Sequence, residues 1–172
     1  MENLGALAIL LAFGLSVYSV LANLTGRRRQ NVYLIRSGER AVYAIWGLLS
    51  LASALLVYAL LTDDFRLAYV AKHSNRDLPT FYKFTAWWGG QEGSLLLWSW
   101  ILASYASLVV YLNRHRLRDI MPYVTSVLMV TQAFFLLLIA IVARPFDVLA
   151  VGEEVIAVPD GRGLNPLLQH WA

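Results

Sequence analysis

The 172-residue chain is 59% hydrophobic and only 15% charged, holds no cysteine, and carries a formal net charge of +3 at pH 7. Soluble domains have roughly 25% charged residues, so this balance excludes an ordinary soluble enzyme and points to a membrane protein. Without cysteine there is no disulfide framework, thiolate metal site or cysteine nucleophile. The arginines sit in short connections between apolar runs, which reads as a topology signal and not as a nucleic-acid footprint.

Residues 4–24 form the first charge-free apolar run. About 20 such residues span a bilayer as a helix, which satisfies its own backbone groups in lipid. Its N-terminal flank carries only Glu2, and the positive charge follows the run. That order predicts a retained anchor with its N-terminus outside, since a cleaved signal peptide carries its positive region first. The connection GRRRQNVYLIRSGER sets Arg27, Arg28, Arg29, Arg36 and Arg40 against Glu39 and is expected to be cytoplasmic. The second span is expected over 41–61. Residues 62–94 then form a long connection with balanced charge, and the third span follows over 95–112, with Trp98, Trp100 and Tyr111 near its ends. NRHRLRD, holding Arg114, Arg116 and Arg118 against Asp119, is the second cytoplasmic connection. The fourth span is expected over 123–143, and a net acidic tail over 144–172.

The expected fold is therefore all-α: one polytopic membrane domain over 1–172, a bundle of four transmembrane helices with a long external loop at 62–94 and an external tail. In a bacterium this places it in the cytoplasmic (inner) membrane, N- and C-termini outside. No charge interrupts a span, which removes the usual marker of an ion path or proton relay. Ser16, Ser19, Ser50, Ser53, Thr125, Ser126 and Gln132 can bond between helices, and Gly5, Gly14, Gly47, Ala52 and Ala54 can let helices approach closely.

Function is expected in the long connection, since loops beyond about 12–15 residues are usually functional or disordered. Its aromatics (Phe65, Tyr69, Phe81, Tyr82, Phe84, Trp87, Trp88) argue against disorder and predict a segment lying on the membrane or on a partner, with short helices around 65–73 and 80–87. The stretch WWGGQEGSLLLW, from Trp87 to Trp98, has two readings. One is a turn and helix start: Gly89, Gly90 and Gly93 supply conformational freedom, Ser94 caps the third span, and Glu92 lies near its positive end. The other is a place where backbone approaches a flat apolar ligand stacked on Trp87, Trp88 or Trp98. The stretch lacks the Gly-Lys-Ser/Thr element of a phosphate loop. His73 and His170 can each serve as a ligand or in a structural contact, and His115 belongs with the cytoplasmic arginines. No catalytic triad, paired-carboxylate cleft or nucleotide fingerprint is present.

His73-Ser74-Asn75, Leu78-Pro79, Tyr82-Lys83 and Trp88-Gly89-Gly90-Gln91-Glu92-Gly93-Ser94-Leu95-Leu96-Leu97-Trp98 together resemble the N-terminal part of the CcmF family, large membrane proteins of cytochrome c maturation. The loop Arg36-Ser37-Gly38-Glu39-Arg40 and the tail Gly163-Leu164-Asn165-Pro166-Leu167-Leu168-Gln169 resemble it too. The resemblance implies a haem lyase component. Such proteins take haem from a periplasmic haem chaperone, work with thiol-reducing and apocytochrome-binding subunits, and join haem to apocytochrome c; they also carry a b-type haem. It implies haem or partner contact at His73, Tyr82, Lys83, Trp87, Trp88, Gly89, Gly90, Gln91, Glu92, Gly93, Ser94 and Trp98, with Lys72, Arg76 or Lys83 facing propionates. The family's outer histidine ligands follow later than Ala172, so they are placed on no residue here and that role is not carried to His170. The four spans are then expected to pack against a remaining part of the lyase, and the segment alone is not expected to be active. The alternative is a non-catalytic scaffold or transporter subunit whose aromatic loop binds a partner protein.

Overall fold

The computed structural model describes residues 2–151, 154–155 and 158–164; the expectations placed on Asn165–Gln169, His170 and Trp171 lie outside them. Four long helices dominate: α1 (Glu2–Arg28), α2 (Val32–Leu61), α5 (Gln91–Asn113) and α6 (Met121–Leu138), the last continued by a π-helical turn, Ile139–Ala143. Between α2 and α5 lie α3 (Ala68–His73), α4 (Thr80–Thr85) and a 3-10 turn, Ala86–Trp88. Beyond α6, β1 (Ala150–Val151) pairs antiparallel with β2 (Glu154–Val155). The four long helices are each apolar and long enough to cross a bilayer.

The helices outrun the apolar stretches that announce them. At 1.5 Å per residue, the 30 residues of α2 extend about 45 Å, against a hydrocarbon core of about 30 Å. Its first turns, with Arg36, Glu39 and Arg40, therefore lie beyond the apolar run. They remain helical because Asn31 caps them, its side-chain oxygen accepting from the amides of Tyr33 at 3.0 Å and Leu34 at 3.3 Å. Pro122 sits in the first turn of α6, where its missing N–H costs no helical bond. The π turn ends at Arg144, left-handed at φ 43°, whose amide donates to Ile139.

α1 packs chiefly on α2 and α6, α2 on α5, and α5 on α6, so the helices form a closed four-sided ring. Ala8, Ala12, Val42, Ile45, Leu49, Leu56, Leu96, Met129 and Leu136 fill its middle. Polar groups stitch the ring. Ser19 donates to the Gly38 carbonyl at 2.8 Å, and the Gln132 amide donates to Ser99 Oγ at 2.6 Å, both residues fully buried. Between α2 and α5 the bonds are reciprocal: Trp46 Nε1 donates to Ser104 and Trp100 Nε1 to Ser50, each at 3.0 Å. Each serine in turn donates to the opposite tryptophan's carbonyl on its own helix. Two expected packing glycines do not serve here: nothing lies within 4 Å of a Cβ built on Gly14 or Gly47, and Ala54 is exposed. Gly5 does serve, because the Phe146 ring lies directly on it.

The bundle has two unlike ends. Arg27 meets Asp119 at 2.9 Å, so the two arginine-rich connections share one end. Residues 62–90 and, among the described residues that follow α6, 144–149 and 158–164 share the other. There the Ala68 amide donates to the Asp147 carbonyl at 2.9 Å, and Leu149 to Arg66 at 2.8 Å.

Candidate functional site

Residues 62–94 are not a free loop but a folded cap, and α5 claims its last residues from Gln91 onward. Short helices occur where the aromatics predicted them, over Ala68–His73 and Thr80–Trp88. The cap is organised by Tyr69, which is almost fully buried. Its hydroxyl lies 2.7 Å from the carbonyl of Ala86 and 3.1 Å from that of Trp87, and accepts from the Gly90 amide at 3.2 Å. One phenol thus holds α3, the 3-10 turn and the start of α5 together. Burial pushes its pKa well above the ordinary tyrosine value.

The glycines answer to contact, not to unusual dihedrals. Gly89 and Gly90 have φ of −71° and −126°, open to any residue. A Cβ on Gly93, however, would strike the Trp87 carbonyl oxygen and the Tyr69 hydroxyl; one on Gly90 would strike His73 Nε2, and one on Gly89 would come within 2.8 Å of Leu164. Gly90 is the N-cap residue of α5. Ser94, expected in that role, lies inside the helix and donates back to the Trp88 carbonyl at 2.8 Å. The helix begins earlier because Gln91 and Glu92 are good helix formers once Gly90 has turned the chain.

His73 stacks on Tyr69 with ring centroids 4.4 Å apart, and its Nδ1 lies 3.0 Å from the Tyr69 carbonyl. The (i, i+4) spacing on one helical face brings the two rings together. Nε2 of the half-buried ring lies against Gly90, where a Cβ would strike it. No group of three His, Cys, Asp or Glu suited to a metal ion occurs among the described residues. Lys83 is buried, and its ammonium bonds both carboxylate oxygens of Asp63, at 2.7 and 2.5 Å. Lys72 stays exposed, 3.9 Å from Glu92. Arg66 grips Asp64 through two 2.7 Å bonds, and the arginine hydrogen bond holds that carboxyl below its usual range.

The aromatics divide into two sets. Trp87 is buried, with its ring centroid 6.1 Å from that of Trp100. Phe81, Phe84, Trp88 and, two turns into α5, Trp98 present exposed rings, Phe81 and Trp98 being 64% and 61% exposed. Phe84 meets Trp88 edge-on at 5.6 Å, and Tyr82 is half-buried with its ring 5.8 Å from that of Phe81. Gln91 is exposed beside the half-buried Glu92.

Three participants were not singled out by sequence reasoning: Tyr69 as organiser, Asp63 as the partner of Lys83, and the strip Asp160–Leu164 as a partner of the cap, Gly163 and Leu164 having entered only through the resemblance. Asp160 accepts from the Arg76 amide at 3.0 Å, Arg162 donates to the Ala71 carbonyl at 2.8 Å, and Gly163, at φ +78°, donates to Ser74 at 3.1 Å. Only the Tyr69–His73 spacing carried a signal in the sequence. The other two contacts join residues distant along the chain.

Four apolar helices in a closed ring, capped at one end by a glycine-packed aromatic segment, define a multi-pass helical membrane protein. No family model matches the chain. It is 37% identical over 167 residues to the cytochrome c-type biogenesis protein CcmF of Pseudomonas aeruginosa and 32% identical over 167 residues to that of Haemophilus influenzae, each alignment covering 97% of this chain and 25% of the relative. It is 34% identical over 169 residues to the cytochrome c-type biogenesis protein NrfE of Haemophilus influenzae, covering 98% of this chain and 26% of that one. The solved structure of a cytochrome c heme lyase CcmF superposes with a TM-score of 0.77 at 29% identity, over 87% of this chain and 25% of that chain. The chain belongs to the CcmF family as an N-terminal segment, spanning about a quarter of the length of the curated relatives it matches.

Proposed function

We propose that the chain is the N-terminal bundle of a cytochrome c haem lyase, handling haem at the outer face of a bacterial cytoplasmic membrane for attachment to apocytochrome c. The observation that carries this is the cap: a packed segment presenting Phe81, Phe84, Trp88 and Trp98 where the apolar spans end, in a chain similar along 97% of its length to proteins named for cytochrome c biogenesis. Rings held by a packed support offer a large apolar contact area to a flat ligand with little ordering left to do. The buried set, Tyr69, Trp87, Lys83 and Gly93, positions that surface. The rest of the lyase is the proposed source of iron ligands, and the haem chaperone, thiol-handling subunits and apocytochrome are its proposed partners. Arginine-rich connections on the opposite end favour the outer placement of the cap.

The test is Trp88→Ala in cells whose c-type cytochromes depend on this protein. Covalent cytochrome c falls while the protein accumulates normally in the membrane. Unchanged haem attachment in Trp88→Ala combined with Phe81→Ala would overturn the reading.

A further inference from the structure

At the arginine-rich end, the termini of α1, α2 and α5 and the turn before α6 enclose a cavity of about 280 Å³. Arg27, Arg36, Arg114 and Arg118 line it against only two acids, Glu39 and Asp119. Asp119 is engaged by Arg27 at 2.9 Å. Glu39 lies in the field of both Arg118 and Arg36, and one carboxylate neutralises one of them. Arg114 rests over the Tyr111 ring at 4.6 Å, a contact that leaves its charge and its N–H donors available. The cavity therefore holds a surplus of positive charge with guanidinium forks to spare, the donor geometry suited to phosphate.

Two further features specify the ligand. Ile35 and Met121 give the cavity an apolar flank. Its depth is that of the bilayer interface: the charge-free run of α2 begins one residue after Arg40, and that of α5 ends two residues before Arg114. A soluble anion uses only the arginines, whereas a molecule with a phosphate and an acyl tail uses both linings. We propose that this cavity binds the phosphate headgroup of an anionic phospholipid from the leaflet at that end. The lipid ties the start of α2 to the turn at 114–120, which the exposed Arg27–Asp119 pair joins to the end of α1. A juxtamembrane arginine contributes enough to anionic-lipid binding that removing one weakens it about fivefold.

The experiment extracts the protein from its membrane with the partners it retains, and reads lipid adducts by native mass spectrometry and thermal unfolding on adding phosphatidylglycerol, phosphatidylcholine or inorganic phosphate. Phosphatidylglycerol is retained and raises the unfolding temperature; phosphatidylcholine and inorganic phosphate do neither. Arg36→Gln with Arg118→Gln lowers retention at least fivefold. Because losing arginines also weakens the topology signal, Glu39→Gln serves as the opposing variant: it keeps every arginine, and retention rises. Equal retention of both lipids, an equal effect of inorganic phosphate, or no rise in Glu39→Gln each overturns the proposal.

Discussion

At one end of the bundle short connections leave most arginines in solvent, while at the other a 29-residue connection between α2 and α5 (62–90) folds back on itself and buries one of its two lysines, one of its two tyrosines and one of its two tryptophans. Charge governs the first end. Arg28, Arg29, Arg40 and Arg116 touch little, and their number is what orients a membrane protein. Contact governs the second, where glycines are placed for the atoms that lie against them. The two ends should therefore respond to substitution in opposite ways: shape changes damage the cap, and charge changes barely move the stability of the arginine end.

The largest effect is expected from Gly93→Val. Overpacking typically costs about 1–3 kcal/mol, and here the obstacle is the backbone carbonyl of Trp87, which cannot rotate aside. The cost exceeds that range, and limited proteolysis within 62–90 reports it. Lys83→Met comes next. Breaking a buried ion pair costs about 3–5 kcal/mol, and the Asp63 side chain, 24% exposed, recovers part of that from water. Adding Asp63→Leu restores stability if the uncompensated charge is the cause; no recovery in the thermal melt would tell against it.

Tyr69→Phe takes a partner from the Trp87 carbonyl and from the Gly90 amide at a cost of about 1–3 kcal/mol and carries a pH signature. The buried phenol ionises above its unfolded value of about 10, so its contribution is complete below about pH 10 and is lost as pH rises further. The variant should be less stable at neutral pH and lose less on raising pH beyond 10, in unfolding followed at both values. The smallest effect belongs to Arg27→Gln. An exposed pair is worth about 0–1 kcal/mol, and a loss as large as that of Lys83→Met would erase the contrast between the two ends.

The two ends also differ in how legibly the sequence encodes them. Helix number, arginine placement and the aromatic cap follow from composition along the chain, because lipid requires long apolar runs and charge collects where they stop. Helix limits were less legible: Asn31 and Gly90 set the starts of α2 and α5 beyond the apolar stretches. The logic of the cap was hidden further. The conspicuous glycines suggested unusual dihedrals or the close approach of a ligand, and only the positions of Trp87, Tyr69, His73 and Leu164 show that the chain's own atoms lie against them. Lys83 looked like a free cation in sequence, since the αL turn at Asp63 that brings its carboxylate over leaves no local pattern.

The placement of the two ends across the membrane can be read directly, because these 172 residues contain no cysteine. Phe81→Cys, at an exposed cap position, and Arg116→Cys, in the opposite connection, are labelled separately with a membrane-impermeant maleimide. Phe81→Cys should label when only the non-cytoplasmic side is exposed to reagent, and Arg116→Cys only after the membrane is opened. The reverse pattern would put the aromatic cap in the cytoplasm and contradict haem handling at the outer face.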